Sequence, residues 1–198
     1  MQYSTQHNSA MNTKGFLEIF VGPMFSGKTS KLLEIYKQCI YCNIPVAVIN
    51  YALDTRYHDT MLSTHDKHMI PCIQTTTLTS VWESGADENM NQLHLADVVL
   101  INEGQFFEDL YPVVASMLKA GKKIYVSGLD GDFQRKKFGQ ILDLIPLCDK
   151  VTKLTSLCSL CKNGEPAIFS MRLTSETQQT LIGSDNYAPV CRACYKSA

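Results

Sequence analysis

Gly22-Pro23-Met24-Phe25-Ser26-Gly27-Lys28-Thr29 satisfies G-x-x-x-x-G-K-[ST] at every fixed position. The chemistry such a stretch performs is the cradling of phosphates. Gly22 and Gly27 let the backbone curl so that successive N–H groups face phosphate oxygens, and the positive end of a following helix adds to the field. Lys28 then reaches the β- and γ-phosphates, and the Thr29 hydroxyl becomes a magnesium ligand. The flanks fit. Phe16 to Val21 reads FLEIFV, an apolar run suited to a buried strand, and from Thr29 the chain reads TSKLLEIYKQCI. There Leu32, Leu33, Ile35, Tyr36, Cys39 and Ile40 share one helical face. Strand, glycine-rich loop and helix in that order mark a nucleoside-triphosphate site.

Other residue types with chemistry to offer lie beyond strand-like runs. Glu103 follows the apolar Asp97-Val98-Val99-Leu100-Ile101 and Asn102, which places it at the carboxyl edge of a sheet. A carboxylate there either holds a magnesium shell or accepts a proton from an attacking hydroxyl. Arg56, in a polar stretch from Asp54 to Asp66, is the candidate for neutralising a transferring phosphoryl group. Phe106, Phe133 and Phe138 supply aromatic surface near the same edge, either to stack a nucleobase or to fill core. His58 and His65 lie in the polar stretch and read as loop residues.

Two C-x-x-C pairs stand at the far end, Cys158/Cys161 and Cys191/Cys194, with 29 residues between them. Two such turns bring four thiolates to a tetrahedral site suited to zinc, the alternatives being thiols without metal or redox dithiols. With all four positions taken by protein, the zinc is structural. The interval exceeds the spacing of about 15–20 residues in simple ribbons, which points to an inserted hairpin and long loop. Cys39 and Cys42 also form C-x-x-C, but at the end of an apolar helical face they read as small buried hydrophobes.

Elements to position these groups follow in turn. After the helix, Pro45 to Asn50 reads as a second strand. Thr75 to Ala96 is weakly periodic, with a helix in its later half. Leu110 to Leu118 reads as helix and Lys122 to Ser127 as strand, running into Gly128-Leu129-Asp130-Gly131-Asp132-Phe133. Lys150 to Leu157 is strand-like. Alternation of strand and helix predicts an α/β domain over residues 15–148, a mostly parallel sheet with helices on both faces. Residues 1–14 read as a disordered leader, and residues 149–198 as a small zinc-binding domain.

Composition sets bounds. The chain has 198 residues, 45% hydrophobic and 19% charged, with a net charge of −1. That size fits one full domain with an appendage, and that charge provides no general basic field for nucleic acid. No apolar run approaches a membrane span. Eight cysteines without a secretory signal argue for thiols or metal ligands in a cytoplasmic protein.

GPMFSGKT, YALDTRYH with STHD, NEGQFF, LDGDFQRKKFGQ, CSLC…CRAC and the intervening IGSDNY together resemble the type II thymidine kinases, in order from Gly15 to Cys194. The resemblance implies transfer of the γ-phosphate of ATP to the 5′-hydroxyl of thymidine, with Mg2+ required and no covalent enzyme intermediate. It implies a homotetramer of P-loop domains, each with a zinc-bound lasso, and dTTP as feedback inhibitor. Carried over, Glu103 is the general base, while Lys28, Thr29 and Arg56 handle phosphates and metal. Asp54 matches the family's acidic residue in its loop. Met24, Phe106, Leu129, Phe133 and Ser170 form the base pocket, with Phe138 nearby, and Ile182, Gly183 and Tyr187 belong to the lasso.

Two departures carry expectations. The family's strand end begins with Asp, where this chain has Asn102; an amide carbonyl can enter a magnesium shell but brings no charge, so Asn102→Asp is expected to lower the magnesium requirement. Ser170 replaces a common threonine, which loosens the grip on the thymine methyl and favours acceptance of deoxyuridine. The regulatory tail of some animal members is expected to be absent. The rival from another class is a nucleic-acid-binding ATPase gripping through its zinc ribbon, with Arg135-Lys136-Lys137 as its thin basic cluster. A regulatory GTPase lacks its guanine-reading segment here.

Overall fold

The computed structural model describes residues 14–53, 61–63, 69–83, 88–180 and 186–195. Its elements are β1 (Phe16–Val21), α1 (Lys28–Tyr41), β2 (Val46–Tyr51), β3 (Met61–Ser63), β4 (Met69–Pro71), β5 (Ile73–Thr75), α2 (Leu78–Trp82), α3 (Glu88–Leu95) and β6 (Val98–Ile101). There follow α4 (Leu110–Lys119), β7 (Lys123–Gly128), β8 (Lys150–Lys153), β9 (Ser156–Leu157), β10 (Pro166–Ala167), β11 (Phe169–Arg172) and β12 (Tyr187–Val190).

Six strands form one parallel sheet in the order β5-β2-β6-β7-β1-β8. Alternation along each strand divides the apolar residues between two cores. Leu17, Ile19 and Val21 of β1, with Val99 and Ile101 of β6, pack against α2, α3, α4 and the 3-10 segment Ile141–Leu147. Phe20, Val48, Val98 and Leu100 face the other way, onto Leu32, Leu33 and Cys39 of α1. Each fully buried leucine contributes about 1.5–3 kcal/mol through removal from water. The sheet therefore has helices on both faces, and its carboxyl edge collects the glycine-rich loop, the turn after β6 and the loop after β7.

Three features differ from the local reading of the sequence. The helical region between Thr75 and Ala96 includes an early piece, α2, as well as the expected later one. Its amino end is capped from outside, by the Asp109 carboxylate accepting from the N–H groups of Leu78 at 3.1 Å and Thr79 at 2.7 Å. The polar stretch after β2 leads to an antiparallel pair, β3–β4, whose Leu62 and Ile70 enter the α1-side core. The main sheet also continues past residue 148, because β8 pairs with β1 from Glu18↔Lys150 to Val21↔Lys153.

The rest is antiparallel. β9 pairs with β10 and β11 with β12, around a small core of Cys158, Ala188, Val190 and Cys191 with Phe169, Met171, Cys194 and Tyr195 against it.

Candidate functional site

Gly22 packs so closely beneath Leu154 that an added Cβ would meet the Leu154 carbonyl oxygen at 2.3 Å, and its φ of +152° is open to glycine alone. Gly27 has φ 81° and stands at the amino end of α1, where no side-chain cap closes the first turn. An uncapped helix start fed by a glycine-rich turn is an anion site in waiting. Phe25 also holds a positive φ of 62°. Lys28 is buried, with its Nζ donating to the Pro23 carbonyl at 2.6 Å and reaching Ser26 Oγ at 3.4 Å. Its ammonium thus lies along the inside of the loop.

At the end of β6, Asn102 is buried and Glu103 takes the left-handed conformation, φ 55° and ψ 41°. A non-glycine residue there is uncommon and costs on the order of 1 kcal/mol, a strain that clusters at working sites. The Asn102 Oδ1 accepts from Ser127 Oγ at 2.8 Å and lies 3.4 Å from Thr29 Oγ1. Two neutral oxygens, Thr29 Oγ1 and Asn102 Oδ1, therefore stand together at the mouth of the loop, a donor set that suits a hard cation such as magnesium.

Gln105 is a residue the motif reading passed over. Its Nε2 donates to Glu103 Oε2 at 2.6 Å, and its Oε1 accepts from the Leu129 N–H at 3.0 Å. It joins the carboxylate to the loop after β7. That loop packs tightly: a Cβ on Gly139 would stand 2.1 Å from the Gln105 carbonyl oxygen. Phe106 lies against Tyr51 at 5.1 Å and edge-on to Phe138 at 5.5 Å, while Phe133 and Phe138 are buried.

The antiparallel unit closes over this edge. Ser170, buried on β11, accepts from the Met24 N–H at 2.9 Å, which ties it directly to the glycine-rich loop. Arg172 is likewise buried, and its guanidinium donates to the carbonyls of Glu176 and Gln179 at 2.9 and 3.2 Å, to that of Gln178, and to the Tyr187 hydroxyl. Its carbon stands 3.8 Å from the centre of the Phe133 ring, a cation–π contact. The lone arginine of the lasso is thus spent on shaping main chain. Gln179 donates to Asp132 Oδ2 at 2.8 Å, and Tyr195 to the Phe133 carbonyl at 2.7 Å.

The four expected cysteines converge: the Sγ atoms of Cys158, Cys161, Cys191 and Cys194 all lie within 4.8 Å of one another. A tetrahedral zinc–thiolate site needs sulfurs about 3.8 Å apart, so a small contraction completes it, and the cluster can hold a metal ion. Cys39 is buried in the α1-side core, as its apolar face implied, whereas Cys42, just past the end of α1, is exposed rather than buried. Of the thin basic cluster, Arg135 lies 4.3 Å over the Tyr195 ring and Lys137 pairs with Asp143 at 2.8 Å. Asp54, Arg56, Ile182 and Gly183 lie outside the described residues, as do His58 and His65. Among the described residues no helix is long and apolar enough to cross a membrane.

Fold and site define a class: an α/β protein whose glycine-rich turn, polar strand ends and four-cysteine unit meet at the carboxyl edge of one parallel sheet. Comparison with known proteins narrows it. The family model described as thymidine kinase matches residues 15–195. The thymidine kinase of sheeppox virus is 41% identical over 182 residues, spanning 91% of this chain and 97% of its own. Thymidine kinase a of Arabidopsis thaliana is 42% identical over 183 residues, spanning 91% of this chain and 75% of its own. The thymidine kinase of vaccinia virus (strain Western Reserve) is 41% identical over 182 residues, with 91% and 97% covered. The chain belongs to the thymidine kinase family, and is an enzyme.

Proposed function

We propose that this chain transfers the γ-phosphoryl group of ATP to the 5′-hydroxyl of thymidine, giving dTMP and ADP, and that it also accepts deoxyuridine. The observation that carries the reading is Glu103, held in a strained conformation at a strand end beside the glycine-rich loop in a chain of this family. Its carboxylate takes the proton of the 5′-hydroxyl as that oxygen bonds to the γ-phosphorus and the bond to the ADP oxygen breaks. Gly22 to Thr29 wrap the phosphates in main-chain N–H groups. Lys28 leaves its contacts within the loop to follow the γ-phosphate, and Arg56 spreads charge over the transferring oxygens. Magnesium, held through Thr29 and Asn102, neutralises phosphate charge when bound.

Met24, Phe106, Leu129, Phe133, Phe138 and Ser170 receive the base. Ile182, Gly183 and Tyr187 close over it, and Asp54 holds the acceptor side. Zinc on Cys158, Cys161, Cys191 and Cys194 fixes the lasso. Family membership supports the remaining parts of the reading: a homotetramer, feedback inhibition by dTTP and a cytoplasmic place in nucleotide salvage.

The test is phosphoryl transfer from labelled ATP with magnesium across a panel of nucleosides, beside Glu103→Gln. Label arriving on thymidine, with the variant slower by about 10²–10⁴-fold, is the expected result. ATP turnover that labels no nucleoside and rises with single-stranded nucleic acid overturns the reading.

A further inference from the structure

Asn102 is one of three amides in a row. Gln74 of β5 and Asn50 of β2 are register partners in the sheet. Ile49 is opposite Ile101, and Ile101 opposite Val126, so Asn50, Asn102 and Ser127 occupy successive places on the next three strands. By the two-residue alternation of a strand, all four side chains lie on the α1 side of the sheet, where Val48 and Leu100 also point. The first turn of α1, with Thr29, lies over that side.

The hydrogen bonds run in one direction. Asn50 Nδ2 donates to Gln74 Oε1 at 3.3 Å, and Asn102 Nδ2 donates to Asn50 Oδ1 at 2.8 Å. That leaves Asn102 Oδ1 for Ser127 Oγ and the side of Thr29. Gln74 in turn directs its Nε2 to Cys72 Sγ at 3.5 Å. Asn50 and Asn102 are 4% and 3% exposed, so neither amide can exchange its partners for water. An amide presents an acceptor or a donor depending on a half-turn of its end group. Asn50 therefore decides which of the two Asn102 turns toward the phosphate loop. With its carbonyl oxygen there a cation has a ligand; with its NH₂ there the cation meets a like-signed dipole.

We infer that Asn50 is a positioning residue for metal-bound nucleotide: by accepting from Asn102 Nδ2, it holds the Asn102 oxygen toward Thr29 and the magnesium. The inference rests on the nucleotide site proposed above and on nothing about the acceptor. It also revises the expectation for Asn102→Asp. A carboxylate at 102 has no hydrogen to give Asn50 Oδ1, so Asn50 must turn over and release Gln74 before the added charge brings any gain.

The experiment titrates magnesium against binding of a fluorescent, non-hydrolysable ATP analogue, in wild type, Asn50→Leu, Asn50→Asp and Gln74→Ala. Asn50→Leu frees the Asn102 amide to turn and is expected to raise the magnesium midpoint about three- to tenfold. Affinity for the analogue without magnesium stays at the wild-type value. Asn50→Asp keeps an acceptor toward Asn102, with Gln74 turning its NH₂ to the other oxygen, and leaves the midpoint at or below the wild-type value, a rescue that loss of packing would not produce. Gln74→Ala, at a half-buried position that tolerates truncation, loosens the row from its far end and raises the midpoint by a smaller factor, keeping the test intact should Asn50→Leu not fold. A wild-type midpoint in both Asn50→Leu and Gln74→Ala, or a shift in Asn50→Asp equal to that in Asn50→Leu, overturns the inference. An analogue that fails to bind wild type with magnesium overturns the nucleotide reading as well, and so tells the two failures apart.

Discussion

Gln105 lies between a carboxylate and the loop after β7, giving a hydrogen to Glu103 at 2.6 Å and taking one from Leu129 at 3.0 Å. Its donor holds one oxygen of Glu103 and so fixes how the carboxylate is turned. Gln105→Glu replaces the donor with a second carboxylate, which repels Glu103 and releases that hold. Turnover at neutral pH should fall while KM for ATP stays constant. Unchanged turnover would mean that the reaction does not depend on the hold of Gln105 on Glu103. The motif NEGQFF announced Glu103, because an acid after an apolar strand has few places to go. Nothing local announced Asn50 or Ser127. Each is an ordinary small polar residue until the register sets it beside Asn102. Arg172 was visible as the lasso's one arginine, but its three carbonyl acceptors come from chain whose path the sequence does not state.

At the scale of elements, what was legible is what local pattern determines. β1, β2, β6 and β7 are short apolar or β-branched runs, and α1 and α4 show a helical stripe, so each is found within a residue or two. What was not legible is what distant residues impose. β8 has the look of a strand, but its place in the main sheet depends on β1, which lies more than a hundred residues earlier. α2 is only five residues long, too short to persist on propensity. Asp109 supplies what it lacks, binding the N–H groups of Leu78 and Thr79 and the Thr79 hydroxyl at 2.8 Å. Asp109→Ala should therefore destabilise the fold by about 1–2 kcal/mol, the worth of a good helix cap. The chain's single tryptophan provides a local reporter. Trp82 is buried on α2, stacked on His94 at 4.4 Å and donating to Ser116 Oγ at 3.0 Å. In Asp109→Ala its emission should move to the red and begin to unfold at lower temperature than the far-ultraviolet helix signal. Coincident, unshifted transitions would show that α2 does not need the carboxylate.

Across the whole molecule, two kinds of stabilisation meet at one edge. The parallel sheet has two apolar cores and supports itself. The antiparallel unit has a buried core of two cysteines, one alanine and one valine, far too little surface to offset the entropy of ordering its loops. Metal on the four cysteines would supply that deficit, since a structural zinc contributes on the order of 10 kcal/mol to the folding of a small module. The unit reports to the site through a few contacts: Ser170 to the Met24 N–H, Gln179 to Asp132, Tyr195 to the Phe133 carbonyl, and Arg172 over the Phe133 ring. Three of these four end in the loop after β7, the side proposed to receive the base, and one reaches the phosphate loop. Removing the metal with a strong chelator should therefore release the base pocket first. Amides of β11 and β12 should lose protection from hydrogen exchange, while those of β1, β6 and β7 keep theirs. KM for thymidine should rise at least about tenfold, because the pocket must be reassembled at each binding event. Affinity for the ATP analogue should change by less than about threefold, since among the described residues it is the Met24 contact that ties the unit to the phosphate loop. Equal loss of both affinities, or uniform exchange through the central strands, would mean that metal holds the whole fold together rather than its acceptor side.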